Sequence, residues 1–208
     1  MAAALHAYDA RMSSARIPSR PLGRAPTTVP AIIWRIEAPL SPLQSELLLT
    51  ASQQGANAIL LPDTDEPPHQ MILPPDAQLI LGVRAQRLMP RSSVFIQQRL
   101  AALNTSSCWA ILIQDVTPEQ LKAGRPLHRA AQLREQGLAQ YVLLDAEDHA
   151  SAEWMLENTP AHGLLISHGL GDMTARYRLL PRAAELATAI LASVAPPVWN
   201  SQPIPLCE

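Results

Sequence analysis

The side chains that could do chemistry sit where apolar runs end. In WAILIQDV (109–116), five apolar residues lead into Gln114 and Asp115. Asp63, Asp65 and Glu66 follow NAILLP (57–62), and Arg84 closes LILGVR (79–84). DAEDH (145–149) follows YVLLD (141–145), and ISHGLGD (166–172) overlaps the end of GLLIS (163–167). Paired carboxylates could serve as general acid and base. Acids with His149, His162 and His168 could hold a divalent metal. The three histidines have neither i, i+4 spacing nor a tight H-x-H, and acids just after a strand usually serve the N-terminus of the next helix. No metal site is therefore expected. The Asp63–Asp65–Glu66 run reads as a solvated loop. GLGD (169–172) lacks the glycine pattern and basic partner of a phosphate loop. Cys108 opens a strand and reads as a buried, inert thiol, and with Cys207 it forms no metal spacing.

The positioning elements follow a rhythm. Strand-like AIIWRIE (31–37), NAILLP, LILGVR, WAILIQD, YVLLD and GLLIS alternate with helical segments. The helices span 41–55, 91–104, 126–137, 151–159 and 178–194, the last read through RLLPRAAELATAILASV. Strands of this length alternating with helices build βα units on a parallel sheet. The strands are apolar throughout, as strands buried on both faces are. Side chains at the C-terminal ends of such strands gather at one face, where α/β proteins place their chemistry. Six strands fit either a doubly wound sheet or a (β/α) barrel that stops two units early. Residues 1–16 read as a flexible arm, 17–195 as one domain, and 196–208 as a Pro-rich tail.

Composition narrows the function classes. Of 208 residues, 48% are hydrophobic, enough for a substantial core. A net charge of −2 gives no basic footprint for nucleic acid. No apolar run reaches the roughly 18–20 residues of a membrane span. With two unpaired-looking cysteines and no signal-peptide core, a cytoplasmic chain is expected. Lysine occurs once, as Lys122, and no tyrosine lies between Tyr8 and Tyr141.

Four segments carry a family resemblance. RPLGRAPTTVPAI (20–32) resembles the opening hairpin of aldo/keto reductases, which often reads R-x-L-G-R-T-G-x-x-V-P/S. QQGANAIL (53–60) is similar to the A-G-I-N turn before that family's second strand. SSVFIQQRLAALNTSSCWAILIQDV (92–116) is similar to its helix-to-strand segment ending L-L-x-I-H-D. LREQGLAQYVLLD (133–145) is similar to its L-R-x-x-G-K/L-x-R-x-I-G-V-S segment. Their order and spacing agree over about residues 17–192 and imply a TIM-type barrel, incomplete at about six βα units.

The resemblance also implies where a catalytic tetrad would stand. Its Asp falls on Leu60, with Asp63 the nearest acid; its Tyr falls on Asp65, its Lys on Arg84 and its His on Gln114. A glutamine donates a hydrogen bond but does not titrate. A guanidinium stays charged and is a poor tuner of a phenol. The Ser-Asn pair that holds the nicotinamide carboxamide corresponds to Asp145-Ala146, and the strand-six glutamine to Ile166 or Ser167. These departures predict a non-catalytic binding or assembly subunit without a cofactor. The alternative is a divergent NAD(P)H-dependent oxidoreductase acting on a small carbonyl compound. An open barrel leaves edge strands. That predicts a homo-oligomer or a larger complex, with contacts at strand one (Ile32, Trp34, Ile36), strand six (Leu164, Ile166) and the tail, whose Trp199 and Ile204 could plug the gap.

Overall fold

A computed structural model describes residues 19–30, 32–37, 40–64, 72–166 and 175–192. The arm 1–16, the tail 196–208 with Trp199 and Ile204, and Asp65, Ser167 and His168 lie outside the described residues. An antiparallel hairpin, β1 (Ser19–Pro21) and β2 (Thr28–Pro30), precedes a parallel sheet. The sheet runs β3 (Ile33–Arg35), β4 (Ala58–Leu61), β5 (Gln78–Arg84), β6 (Cys108–Gln114), β7 (Ala139–Ala146), β8 (Gly163–Ile166) and β9 (Ala189–Ala192), each strand beside its sequence neighbour. This is the expected incomplete (β/α) barrel, a half-barrel with seven strands rather than about six, open between β3 and β9 among the described residues.

Helices α1 (Pro42–Gln53), α2 (Ser92–Ala102), α3 (Pro118–Lys122), α4 (Arg125–Glu135), α5 (His149–Asn158) and α6 (Leu180–Glu185) connect the strands. Sequence signals start several of them. Ser41 and Gln44 cap each other's backbone before α1, with Pro42 in its first turn. Thr117 and Gln120 do the same before α3.

Strand alternation separates two apolar layers. Ile59, Leu61, Leu81, Val83, Ile111, Ile113 and Leu144 face the helices. Ala58, Leu60, Ile80, Leu112, Leu143 and Leu165 face inward. The hairpin is the floor of that inner core: Leu22 and Val29 are buried against it. Gly23 makes the seating possible. Its φ is +53°, and a Cβ there would lie 2.6 Å from both the Ala187 and His162 carbonyl oxygens. Arg24 Nε donates to Leu186 O at 2.8 Å, and Gln78 Nε2 donates to Thr28 O at 3.1 Å, tying the hairpin to opposite sides of the sheet.

One expectation is corrected. Residues 189–192 were expected as the end of the last helix and instead form β9. Ala187, at φ +48°, reverses the chain after α6, with Thr188 N donating to Ala183 O at 2.9 Å. Ala189, Ile190, Leu191 and Ala192 then pair with Gly163 through Ile166. An Ala-rich apolar run is compatible with either state, and the unpaired edge of β8 decides for strand. Strand six is thus interior, with Leu164 and Ile166 buried. Among the described residues the edges are β3 and β9. Ile32, just before β3, and Trp34 on it are 49% and 38% exposed, whereas Ile36, just after it, is buried and its N–H donates to Leu60 O.

Candidate functional site

At the C-terminal ends of the strands, inward-facing positions bring Arg35, Arg84, Gln114 and Asp145 to one rim. Arg84 pairs in register with Gln114, and Ile113 pairs with Leu144, one residue before Gln114 and Asp145. A cleft of about 470 Å³ opens there, lined by Arg35, Glu37, Pro62, Asp63, Thr64, Arg84, Gln114 and Asp115. Arg35 Nε is 2.7 Å from Glu37 Oε1, a rim ion pair.

Gln114 is 9% exposed, and its Oε1 accepts from the Asp63 backbone N–H at 2.7 Å. The side chain reaches across β5 because residue 82 is glycine. A Cβ on Gly82 would collide with Gln114 Oε1 and stand 2.8 Å from Pro62 Cα. Asp115, next in sequence, has φ +51°, a conformation costly for most side chains. The turn it makes ends β6 and sets Asp115 on the rim of the cleft.

Asp63 proves unlike a solvated loop acid. Its side chain has no exposed surface. Arg84 N donates to Oδ2 at 2.8 Å, Arg87 Nη1 lies 3.0 Å from Oδ1, and Arg99 Nη1 lies 3.9 Å from it. Arg99 is buried and also donates to Gly82 O at 2.6 Å and Pro62 O at 3.0 Å. Burial pulls the Arg99 guanidinium below its usual pKa, with Asp63 pushing the other way. Phe95 carries Arg87 and Arg99 at 5.2 and 5.7 Å from its ring centre. The sequence signal for this cluster was Arg99 itself, placed on the apolar face of α2 with Ile96 and Leu100.

The other named residues separate. Leu60 is buried in the inner core beneath the rim, packed with Leu22 and Ile80. Lys122 stacks 5.3 Å from the Trp154 ring on the helical layer. Asp148 is the N-cap of α5, its Oδ1 accepting from Ser151 N at 2.7 Å, and that bond holds its carboxyl below the usual range. His149 begins α5. His162 precedes β8 and so lies at the opposite end of the barrel from the rim, contrary to the expectation that it shares a mouth with the acids. There its Nδ1 accepts from Val142 N–H at 3.2 Å, and its ring meets Tyr141, which meets Trp109 edge-on at 5.3 Å. Cys108 is buried, and burial pushes its thiol up to about 12. Among the described residues no three His, Cys, Asp or Glu side chains converge as metal ligands, and no helix is long and apolar enough to cross a membrane.

Solved structures share this architecture. A thermostable aldo-keto reductase, solved with the inhibitor epalrestat, is 19% identical over 85% of this chain and 72% of its own, with a TM-score of 0.64. An aldo-keto reductase from Bacillus halodurans is 11% identical over 85% of this chain and 65% of its own, at TM-score 0.66. One from Klebsiella pneumoniae, solved with NADP and acetate, is 14% identical over 80% of this chain and 64% of its own, at 0.58. Neither a family model nor a curated protein matches the sequence. The chain has the aldo-keto reductase fold over most of its length.

Proposed function

We propose that this chain is a non-catalytic binding and assembly module built on the aldo-keto reductase fold. The observation that carries the reading is the chemistry of the rim. Where the fold's tetrad would place a lysine and a histidine, Arg84 and Gln114 stand, tied to Asp63 through backbone groups. The position of the tetrad acid is Leu60, inside the apolar core. A carbonyl reduction needs a proton donor whose pKa suits the transfer. Neither a guanidinium nor a carboxamide supplies one near neutral pH.

The residues also do not fit NADP(H). The polar pair that would hold the nicotinamide carboxamide is Asp145-Ala146, and Ala146 is buried toward the helices with no polar side-chain atom to offer. The module then works by contact. The open edges β3 and β9, with exposed Ile32 and Trp34, support assembly with a second copy or another protein, the tail 196–208 contributing to the same contact.

The test is a fluorescence or calorimetric titration with NADPH, followed by a panel of aldehydes such as nitrobenzaldehyde and glyoxal. No saturable NADPH binding and no turnover is the expected result. Saturable binding with reduction of any panel member would replace this reading with that of a divergent NAD(P)H-dependent oxidoreductase.

A further inference from the structure

We infer that a second cleft, at the hairpin end of the barrel, binds an uncharged, largely apolar small molecule carrying an N–H or O–H donor, with Gln78 Oε1 as the acceptor. The cleft opens at the N-terminal ends of β5 and β6, opposite the rim. The inference is therefore independent of how the rim is read.

Local sequence builds the walls. The chain enters β5 through Pro74 and Pro75, whose rings fix their own φ, and Ala77 N donates to Pro74 O at 3.0 Å. The second wall is the turn after α2, where Asn104 has φ +54° and Thr105 N donates to Leu100 O at 3.0 Å. Both turns line a cavity of about 480 Å³. Small-molecule sites have this size, an apolar lining and a few placed polar groups.

Gln78 supplies the placed group. It lines the cleft, and its Nε2 donates to Thr28 O at 3.1 Å. A backbone carbonyl only accepts, so a flip of the carboxamide would set acceptor against acceptor. Oε1 is thereby fixed as the free end of the amide. It is buried and meets no donor. A buried carbonyl oxygen without a donor carries a desolvation cost, which a ligand N–H or O–H would relieve.

The rest of the lining sets the charge and polarity of the ligand. Among the described residues no charged side chain lines the cleft. The nearest acid in sequence, Asp76, is engaged by Ser52 Oγ at 3.1 Å and Asn57 Nδ2 at 3.2 Å. An ion would leave water here for a surface with no counter-charge. Two of the other polar groups are spent within the protein: Thr105 Oγ1 donates to Ser107 O at 3.0 Å, and Cys108 Sγ donates to Leu138 O at 3.3 Å. Leu73, Leu103 and Trp109 offer apolar contact. Ile72, also lining the cleft, is 88% exposed, and an apolar ligand body would take it out of water.

The experiment is calorimetric titration of the full chain with indole, whose N–H donates and does not accept. The comparison probes are 1-methylindole, which lacks the donor, and indole-3-acetate and tryptamine, which keep it and add a charge of either sign. Saturable indole binding is expected, about fivefold or more tighter than that of 1-methylindole and tighter than that of either charged probe. Gln78→Leu should bring indole down to the affinity of 1-methylindole while leaving 1-methylindole itself within about twofold, a difference that a merely structural role would not produce. Its melting temperature reports the loss of the bond to Thr28 O. Should that variant fail to fold, Ile72→Glu is measured in its place. That side chain stands in solvent, and the new charge should weaken both neutral probes by about fivefold or more. No saturable indole binding, equal binding of 1-methylindole, tighter binding of a charged probe, or unchanged binding in the variants would overturn the inference.

Discussion

Asp63 has a fully buried side chain and keeps its place because donors surround it: Arg84 N at 2.8 Å, Arg87 Nη1 at 3.0 Å and the buried Arg99 beyond. Removing one member of such a buried set leaves uncompensated charge, which costs about 3–5 kcal/mol. Asp63→Ala should therefore lower unfolding free energy in urea by about 3 kcal/mol or more. A loss below about 1 kcal/mol would show that solvent or other acids already screen these arginines. His162 offers a pH-dependent test at the other end of the barrel. Burial, and then the charge of Arg134, lower its pKa in the folded chain. Its contribution is therefore complete above the unfolded value of about 6.5 and is lost as pH falls below it. The melting temperature should drop between pH 7 and pH 5, and His162→Gln should flatten part of that slope. An unchanged slope in the variant would assign the pH response to other groups. Neither role could be read locally: Asp63 sits in an acidic run that looks solvated, and His162 in a loop-like TPAHG context differs from other loop histidines only once Val142 is brought to it.

At the scale of elements, the junction between α6 and β9 shows a turn defeating a composition signal. RAAELATAIL reads as helix by propensity, since Ala and Leu are good formers. Ala187 nonetheless adopts φ +48°, and Leu186 N and Ala187 N close the helix end on Arg182 O and Ala184 O. Left-handed backbone strains an alanine and suits glycine. Ala187→Gly should raise stability by roughly 0.5–1 kcal/mol, whereas Ala187→Val should lower it by at least as much. Thermal unfolding of the two variants checks this, and a Gly variant less stable than the native chain would mean that the turn is not held as described. The capped starts of α1 and α3 are the opposite case. Their Ser/Thr-Pro-x-Gln signals are local, and the structure uses them as written.

For the molecule as a whole, the described residues form seven parallel strands that wrap a hairpin floor without closing. An eight-strand barrel is just filled by its own side chains. Among the described residues the open sector leaves β3 and β9 as the edges of the sheet, and apolar Ile32 and Trp34 stand beside one of them. Exposed strand edges recruit partners unless something covers them. Light scattering should therefore find a dimer or larger species, and Trp34→Lys should shift it toward monomer. Deleting residues 196–208 should change either the mass or the melting temperature. A monomer in which both changes leave mass and melting temperature untouched would count against assembly at these edges.

Apolar runs of strand length, alternating with amphipathic segments and punctuated by capping residues, were enough by themselves to specify βα units on a parallel sheet, because those signals act within one turn or one strand; the choice of an incomplete barrel over a doubly wound sheet came from the family resemblance. The order of side chains along each strand likewise set which of them could reach the rim: Arg84, Gln114 and Asp145 are there. Tertiary structure alone decided the seventh strand, since it depended on the unpaired edge of β8, and the burial of Asp63, since it depended on arginines from a strand end, a turn and a helix. It also decided the pose of Gln114, which needs Gly82 beneath its amide and the Asp63 N–H in front of it. These three share one physical cause: each is fixed by groups tens of residues apart, whose meeting no local propensity encodes.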